Sequence, residues 1–302
     1  MAVRPQVLVF DVGPYFIRHA LFTDGEPGMV GSIVTPSDGA ESFYRALADV
    51  SNAHGDKLDG IAISFPGFVD VKRQKTITAG PLPALYKHSV ADELKEYLDH
   101  PVPVWLENDA NCAAIAEQRS GNARKLQDFV LVTVDHGIGG AVFLDGKIHR
   151  GRDWRAGEFG MMITNYEAGG VSNLHTYAST AALAERWAEA ADAPADSVVA
   201  TSMLRRLGEP QVREIVERWA DYLAVGIFNV VSALDPECVL IGGAASREVT
   251  LLPLLREALD RIPYWKDFRT PIKRCRHSGN AGLIGAYYAF MIEVMHESEP
   301  EA

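Results

Sequence analysis

FVLVTVDHGIGGAVFLDG, residues 129–146, reads as an apolar strand (129–134), a turn at Asp135-His136-Gly137, a second apolar strand (139–144) and a closing Asp145-Gly146 turn. Asp-Gly between apolar runs is a strong hairpin signal, because a tight two-residue turn needs left-handed backbone at both positions. The same order occurs once before. VLVF (7–10) is a strand, Asp11-Val12-Gly13-Pro14 turns the chain, an apolar run reaches Phe22, and Asp24-Gly25 turns it again. Two hairpins can look alike by chance. Read as a duplication, they predict two related α/β domains, each opened by such a hairpin, facing each other across a cleft.

The residues between and after the two copies alternate strand and helix. Helical patterns are expected at 40–53, 88–99 and 109–119, with strands at GIAISF (60–65) and VPVWLEN (102–108). Strands alternating with helices of this size imply parallel crossovers. The second half is richer in helix, at about 176–190, 197–207, 210–234 and 247–260, with the strand CVLIGG at 238–243. A last helix, about 281–297, carries Gly282, Gly285 and Ala286, small residues that allow close packing, and the ESEPEA tail is expected to fray. The boundary is placed near 120 by the duplication. The expected division is a smaller N-terminal domain, 1–119 plus the C-terminal helix from about 283 to 297, and a larger one, 120–282.

Composition narrows the function. A formal net charge of -11 and a pI near 5.3 repel a phosphate backbone, so nucleic acid is an improbable partner. Any phosphate ligand needs local backbone donors or a metal. Cys112, Cys238 and Cys275 are odd in number and far apart, which fits free thiols in a reducing compartment better than a disulfide framework. No stretch approaches the ~20 apolar residues that span a bilayer, and the N-terminus runs straight into a short strand with no charged n-region and long apolar run, so no leader is expected. A cytoplasmic location is expected.

Four constellations can carry chemistry. Asn108 is a good helix cap and Asp109 falls in the first helical turn, where the dipole keeps a carboxylate ionised. Asp109 is therefore either a base for a substrate hydroxyl or only a capping carboxylate. In Arg155-Ala156-Gly157-Glu158-Phe159-Gly160, a Glu between glycines reads as an acceptor aimed at a ligand or as a solvated turn residue. Gly242-Gly243 after an apolar strand admits a flat ligand or a phosphate, or is an ordinary strand-to-helix turn. The two Asp-x-Gly turns could offer backbone N–H groups to phosphates. There is no Gly-x-x-x-x-Gly-Lys-Ser/Thr loop, no Gly-x-Gly-x-x-Gly after a strand and no Gly-x-Ser-x-Gly elbow.

Together these stretches resemble the ROK family (repressors, open reading frames and kinases) of the actin-like ATPase superfamily. The matching segments are VLVFDVG, IAISFPGFVD (61–70), VPVWLENDANCAAIAE (102–117), HGIGGAVFLDGKIHRG (136–151), RAGEFG (155–160), LDPECVLIGGAAS (234–246) and AGLIGAYYAF (281–290), nearly the whole chain. RAGEFG without a following histidine looks most like β-glucoside kinase and related zinc-free members. The resemblance implies two actin-like, ribonuclease H-like α/β domains flanking a central cleft. It implies an ATP- and Mg²⁺-dependent sugar kinase acting on a glucose-type sugar or glucoside, usually at the 6-hydroxyl, and by analogy a homodimer. Asp109 would match the catalytic base. Asn108 and Glu158 would match sugar ligands, and Pro66-Gly67 the loop that closes the sugar pocket. Asp11 would match the carboxylate holding Mg²⁺ through water, with Gly13 in the first phosphate loop. Gly137 and Gly139 would lie in the second phosphate loop, and Gly242 and Gly243 near the adenosine.

The departures fall mostly on the nucleotide side. The family's first loop usually reads Asp-x-Gly-Gly-Thr; here Pro14, which has no N–H, and Tyr15 follow Gly13. The second usually reads Gly-Thr-Gly-x-Gly; here Asp135 and His136 stand there, and an aspartate repels polyphosphate unless Mg²⁺ or a charged His136 intervenes. The family's Cys-rich run is replaced by NYEAGGVSNLHTYAS (165–179), and Met161 stands where a zinc-bearing His would be, so no zinc site is expected. His175 sits about where many members place another sugar-binding Glu; it is a hydroxyl donor or a plain loop histidine. Two functions follow: a sugar kinase, or a sugar-binding protein whose ATP turnover is weakened or lost. Family repressors carry an N-terminal DNA-binding domain, for which a first strand at residue 7 leaves no room.

Overall fold

In the computed structural model the described residues are 5–166, 172–277 and 279–296. Residues 167–171 of the 165–179 stretch and the ESEPEA tail lie outside them. The chain divides into two compact units that take similar shares of it. Unit 1 holds the residues up to Ser120, Arg150–Arg155 and the residues from Gly279 on; unit 2 holds Gly121–His149 and Ala156–Ser278.

Unit 1 is built on β1 (Val7–Val12), β2 (Phe16–Thr23), β3 (Glu26–Pro27), β4 (Gly31–Val34), β5 (Gly60–Phe65), a small hairpin β6 (Val69–Asp70) and β7 (Lys75–Thr76), and β8 (Val104–Asn108). Its helices are α1 (Ala40–Asn52), α2 (Val90–Lys95), α3 (Asp109–Ser120) and the C-terminal helix Ala281–Glu293. The main sheet runs β3-β2-β1-β5-β8, with β4 also on β2. β1 is antiparallel to β2 and parallel to β5, and β5 is parallel to β8.

Successive side chains of a strand point to opposite faces. Leu8, Phe10 and Val12 of β1 therefore enter one core with Phe43 and Leu47 of α1, while Val7 and Val9 enter another with Leu283, Tyr287 and Phe290 of the C-terminal helix. A strand buried on both faces reads as a continuous apolar run, which is how VLVF reads. Gly285 lets the C-terminal helix meet α3, as its size foretold. A Cβ there would lie 1.7 Å from the Cys112 carbonyl oxygen.

Unit 2 repeats the plan with β9 (Phe129–Val134), β10 (Ile138–Leu144), β11 (Lys147–Ile148), β12 (Ile163–Asn165), β13 (Ser172–Asn173), β14 (Cys238–Gly242) and β15 (Ile272–Arg274). Its sheet runs β11-β10-β9-β14-β15. β9 is antiparallel to β10 and parallel to β14, which is parallel to β15. Strand order and direction match unit 1 position for position, so the duplication read from the two hairpins is real. The Asp-Gly turns are the predicted kind: Asp24 and Gly25 have φ of 54° and 84°, and Asp145 and Gly146 have 51° and 75°.

Several helices differ from their sequence pattern. The 88–99 helix shrinks to Val90–Lys95. The 176–190 pattern splits into α4 (Leu174–Ala178) and α5 (Thr180–Ala191), because Ser179 leaves helical geometry and its hydroxyl caps α5 through the Ala182 N–H. The 197–207 pattern is a short 3₁₀ run, Ala200–Arg205. α6 (Pro210–Leu234) is as expected, α7 begins at Leu251 and ends at Asp260, and the C-terminal helix stops at Glu293, short of 297. No helix among the described residues is long and apolar enough to cross a membrane.

Candidate active site

In unit 1 the predicted residues gather at the carboxyl ends of adjacent parallel strands, where open α/β sheets bind ligands. Asp11 pairs with Ser64 across β1 and β5, and Ser64 pairs with Glu107 across β5 and β8. The three lie in one row on the face covered by the C-terminal helix. Ser64 Oγ donates to Asp11 Oδ1 at 2.9 Å. Gly282, at the start of that helix, makes room for Asp11: a Cβ there would meet Oδ1 at 2.1 Å. Burial pushes the Asp11 carboxyl above its ordinary range, while the Ser64 hydroxyl and Arg18 pull it back.

Asn108 and Asp109 occupy the β8–α3 junction. Asn108 is the cap that its sequence foretold, since its Oδ1 accepts the Asn111 N–H at 3.0 Å. Its Nδ2 donates to the Gly67 carbonyl at 2.9 Å and to Asp109 Oδ1 at 3.0 Å. Pro66-Gly67 is thereby tied to the junction. Gly67 has φ of 92°, and a Cβ would lie 2.7 Å from the Thr78 carbonyl oxygen, so the position requires glycine. Asp109 Oδ1 also accepts the Ala110 N–H at 2.8 Å; Oδ2 takes part in neither bond. The Asp109 carboxyl is pushed up to about 6, first by the protein mass around it and then, against the Ala110 bond, by the negative Asp11. Water still reaches the side chain, which moderates the shift without reversing its direction.

The least legible part of the junction is what holds it. Glu107 is fully buried, and its Oε1 accepts the Asn108 N–H at 3.0 Å and Asn111 Nδ2 at 2.9 Å. Its Oε2 takes Arg150 through Nε at 3.0 Å and Nη2 at 2.7 Å, and the same guanidinium reaches Glu293 of the C-terminal helix at 2.9 Å. Arg150 belongs to unit 1 for this reason, although its sequence neighbours form β11. No local pattern marks it; a Glu preceding a capping Asn at a buried strand end is the one available hint.

In unit 2 the residues expected on the nucleotide side sit around β9, β10 and the end of β14. Gly243 has φ of 79°, and a Cβ would strike the Val134 backbone at 2.5 Å. Gly139 N–H donates to Thr133 Oγ1 at 3.1 Å, and Ile138 N–H donates to His175 Nδ1 at 2.8 Å. His175 is thus no loose loop residue. It lies on α4, half-buried, and burial lowers its pKa. With Nδ1 accepting, the neutral ring carries its proton on Nε2. That nitrogen faces Gly160, where a Cβ would come within 2.4 Å. Gly157, with φ of 89°, packs on the Gly140 carbonyl and sets Glu158 at the entry of the Phe159–Met161 turn.

In the two loops expected to hold phosphates, some backbone N–H groups are already taken. Gly13 N–H is taken by the Phe16 carbonyl at 3.1 Å, Pro14 has none, and Tyr15 is 76% exposed. Asp135 Oδ1 accepts the His136 N–H at 3.2 Å, and Oδ2 accepts the Ala244 N–H, just past Gly242-Gly243, at 3.1 Å.

The model of the ROK family matches residues 8–292. The chain belongs to the ROK family. It is 32% identical over 262 residues to a β-glucoside kinase of Klebsiella pneumoniae, covering 85% of this chain and 86% of that one. A ROK hexokinase of Thermus thermophilus superposes with a TM-score of 0.80 at 30% identity, covering 97% and 100% of the two chains. A ROK protein of Streptococcus pneumoniae TIGR4 in complex with sucrose gives 0.86 at 26% identity, again over 97% and 100%. The carbohydrate-kinase class expected from the motifs agrees with the names of these relatives, and the actin-like fold stands. Within this ROK protein, Asp11, Gly67, Asn108 and Asp109 of unit 1 are assembled around one set of strand ends.

Proposed function

We propose that this ROK protein transfers the terminal phosphoryl group of Mg-ATP to a hydroxyl, the 6-hydroxyl, of a glucose-type sugar or glucoside, as a cytoplasmic homodimer. The observation that carries the reading is the Asp109 carboxylate. It is fixed through Oδ1 by Ala110 N–H and Asn108 Nδ2, and its affinity for a proton is raised. Asp109 Oδ2 takes the proton of the sugar hydroxyl as the sugar oxygen bonds to phosphorus and the bond to the departing ADP oxygen breaks. Asn108, through its bond to Gly67, fixes the sugar loop relative to that base.

Asp11 fits a hard cation held through water: it is a carboxylate short of solvent, with one hydroxyl donor on Oδ1. Mg²⁺ held by Asp11 would supply neutralisation of phosphate charge. Gly242-Gly243, at the carboxyl end of β14, are the residues proposed to lie near the adenosine. Glu158 and the Nε2–H of His175 are the unit 2 groups proposed to face sugar hydroxyls, with Gly137 and Gly139 beside the phosphates.

The experiment is a coupled assay of ADP release with Mg-ATP across hexoses, amino sugars and β-linked disaccharides. Release stimulated by at least one sugar supports the reading; none across the whole panel contradicts it. A base titrating at about 6 also predicts the pH profile. Because Asp109 acts deprotonated, kcat/KM should be level above pH 6–7 and fall about tenfold per pH unit below. A profile flat down to pH 5 removes Asp109 as the base.

The Asp135 bond to Ala244 N–H favours a second reading, in which sugar binding is kept and ATP use is weak. A negative charge about 4 Å from a phosphate costs roughly 1 kcal/mol in a water-like setting. Asp135→Asn should therefore lower the KM for ATP by about fivefold, leaving the sugar KM in place. An unchanged ATP KM would show that Asp135 does not face the nucleotide.

A further inference from the structure

We propose that unit 1 carries a second ligand site, one that takes a phosphorylated sugar, in the pocket between the β6–β7 hairpin and the segment Arg152–Arg155. The pocket holds ≈ 740 Å³, within the range of small-molecule sites. Its wall presents six cations, Lys72, Arg73, Lys75, Lys87, Arg152 and Arg155, against the two carboxylates Asp70 and Asp153. On a chain of net charge -11 this is a local reversal of sign, and it concentrates anions where the rest of the surface repels them.

The wall is built. Asp70 is buried and turned inward on the hairpin, accepting the Lys72 and Arg73 N–H groups at 3.1 Å and the Arg73 guanidinium at 3.1 Å. Its charge is thereby used in shaping the loop. Gln74, with φ of 52°, clips the hairpin to both backbone groups of Leu106 on β8. Across the pocket, Trp154 adopts φ of 61° and Lys87 φ of 62°, backbone that bulky side chains rarely accept. Such strain persists where surrounding structure holds it, and it gathers at ligand sites. Trp154 packs its body against the first core of unit 1, and Lys72 Nζ lies 5.9 Å from its ring centre.

A half-buried tryptophan set among exposed cations matches two features at once: the C–H face of a pyranose and a phosphate monoester. Inorganic phosphate satisfies only the second. None of these residues touches the Asp109 junction chemistry, and the site requires no turnover.

The test is calorimetric titration of the full chain at low salt with glucose 6-phosphate and, separately, inorganic phosphate. Glucose 6-phosphate should bind at least about tenfold more tightly than phosphate. The double variant Lys72→Gln/Arg152→Gln, two exposed positions, should weaken it at least about tenfold without changing Tm. Trp154→Ala should weaken glucose 6-phosphate and leave phosphate unaffected. The proposal is overturned if millimolar glucose 6-phosphate gives no binding, if the double variant binds it as tightly as the parent, or if phosphate binds equally well. Excess glucose should not displace glucose 6-phosphate from this site; displacement by glucose would place the ligand at the active site instead.

Discussion

Asp109→Asn lowers sugar-dependent ADP release by about 10²–10⁴-fold, the range for a positioned base, and does not weaken the fold. Asn preserves the shape and the Oδ1 acceptor that Ala110 N–H and Asn108 Nδ2 use. What is lost is the oxygen proposed as the base. The stability side follows from the raised pKa. A carboxyl pushed up to about 6 in the folded protein, against an ordinary 3.8 in the unfolded chain, costs stability at neutral pH. That cost disappears as pH falls from about 6 toward 3.8, since the folded form then binds the proton more readily. Asn removes it at every pH, so Tm at pH 7 should rise, and the gain over the parent should shrink below pH 6. A variant that loses activity and melts lower would make Asp109 a structural cap.

Arg150→Met should be the most damaging change away from the reacting groups. It leaves Glu107, fully buried, without its guanidinium, and breaking a buried pair on one side costs about 3–5 kcal/mol. Glu293 loses the same partner. Urea unfolding should show that loss in the midpoint with an unchanged slope. Activity should fall as well, because Glu107 Oε1 sets Asn108 N–H and Asn111 Nδ2 and so positions the proposed base, Asp109. The double variant Glu107→Gln/Arg150→Met should recover part of the stability, since no buried charge is then left unpaired. A cost under about 1 kcal/mol for Arg150→Met would mean that the junction does not depend on this ion pair.

The fold was legible because its signals are local. Asp24-Gly25 and Asp145-Gly146 fix their own backbone, and VLVF and FVLVTV show burial on two faces within a few residues. The candidate base was legible because a cap and a first-turn carboxylate are neighbours in sequence. Arg150 was not, because its partners Glu107 and Glu293 lie 43 and 143 residues away. His175 was ambiguous for the same reason: the Ile138 N–H that fixes its ring is 37 residues distant. Helix ends failed where a single side chain decides them, as at Ser179, whose hydroxyl ends one helical pattern and starts the next.

Phosphorus NMR of the protein with Mg-ATP and a glucoside examines phosphoryl transfer itself. A phosphomonoester resonance should grow, coupled to the two protons of the sugar C6 methylene and equal in amount to the ADP formed. ADP accompanied only by inorganic phosphate, or no ADP with any sugar tried, would contradict a transfer in which Asp109 activates a sugar hydroxyl.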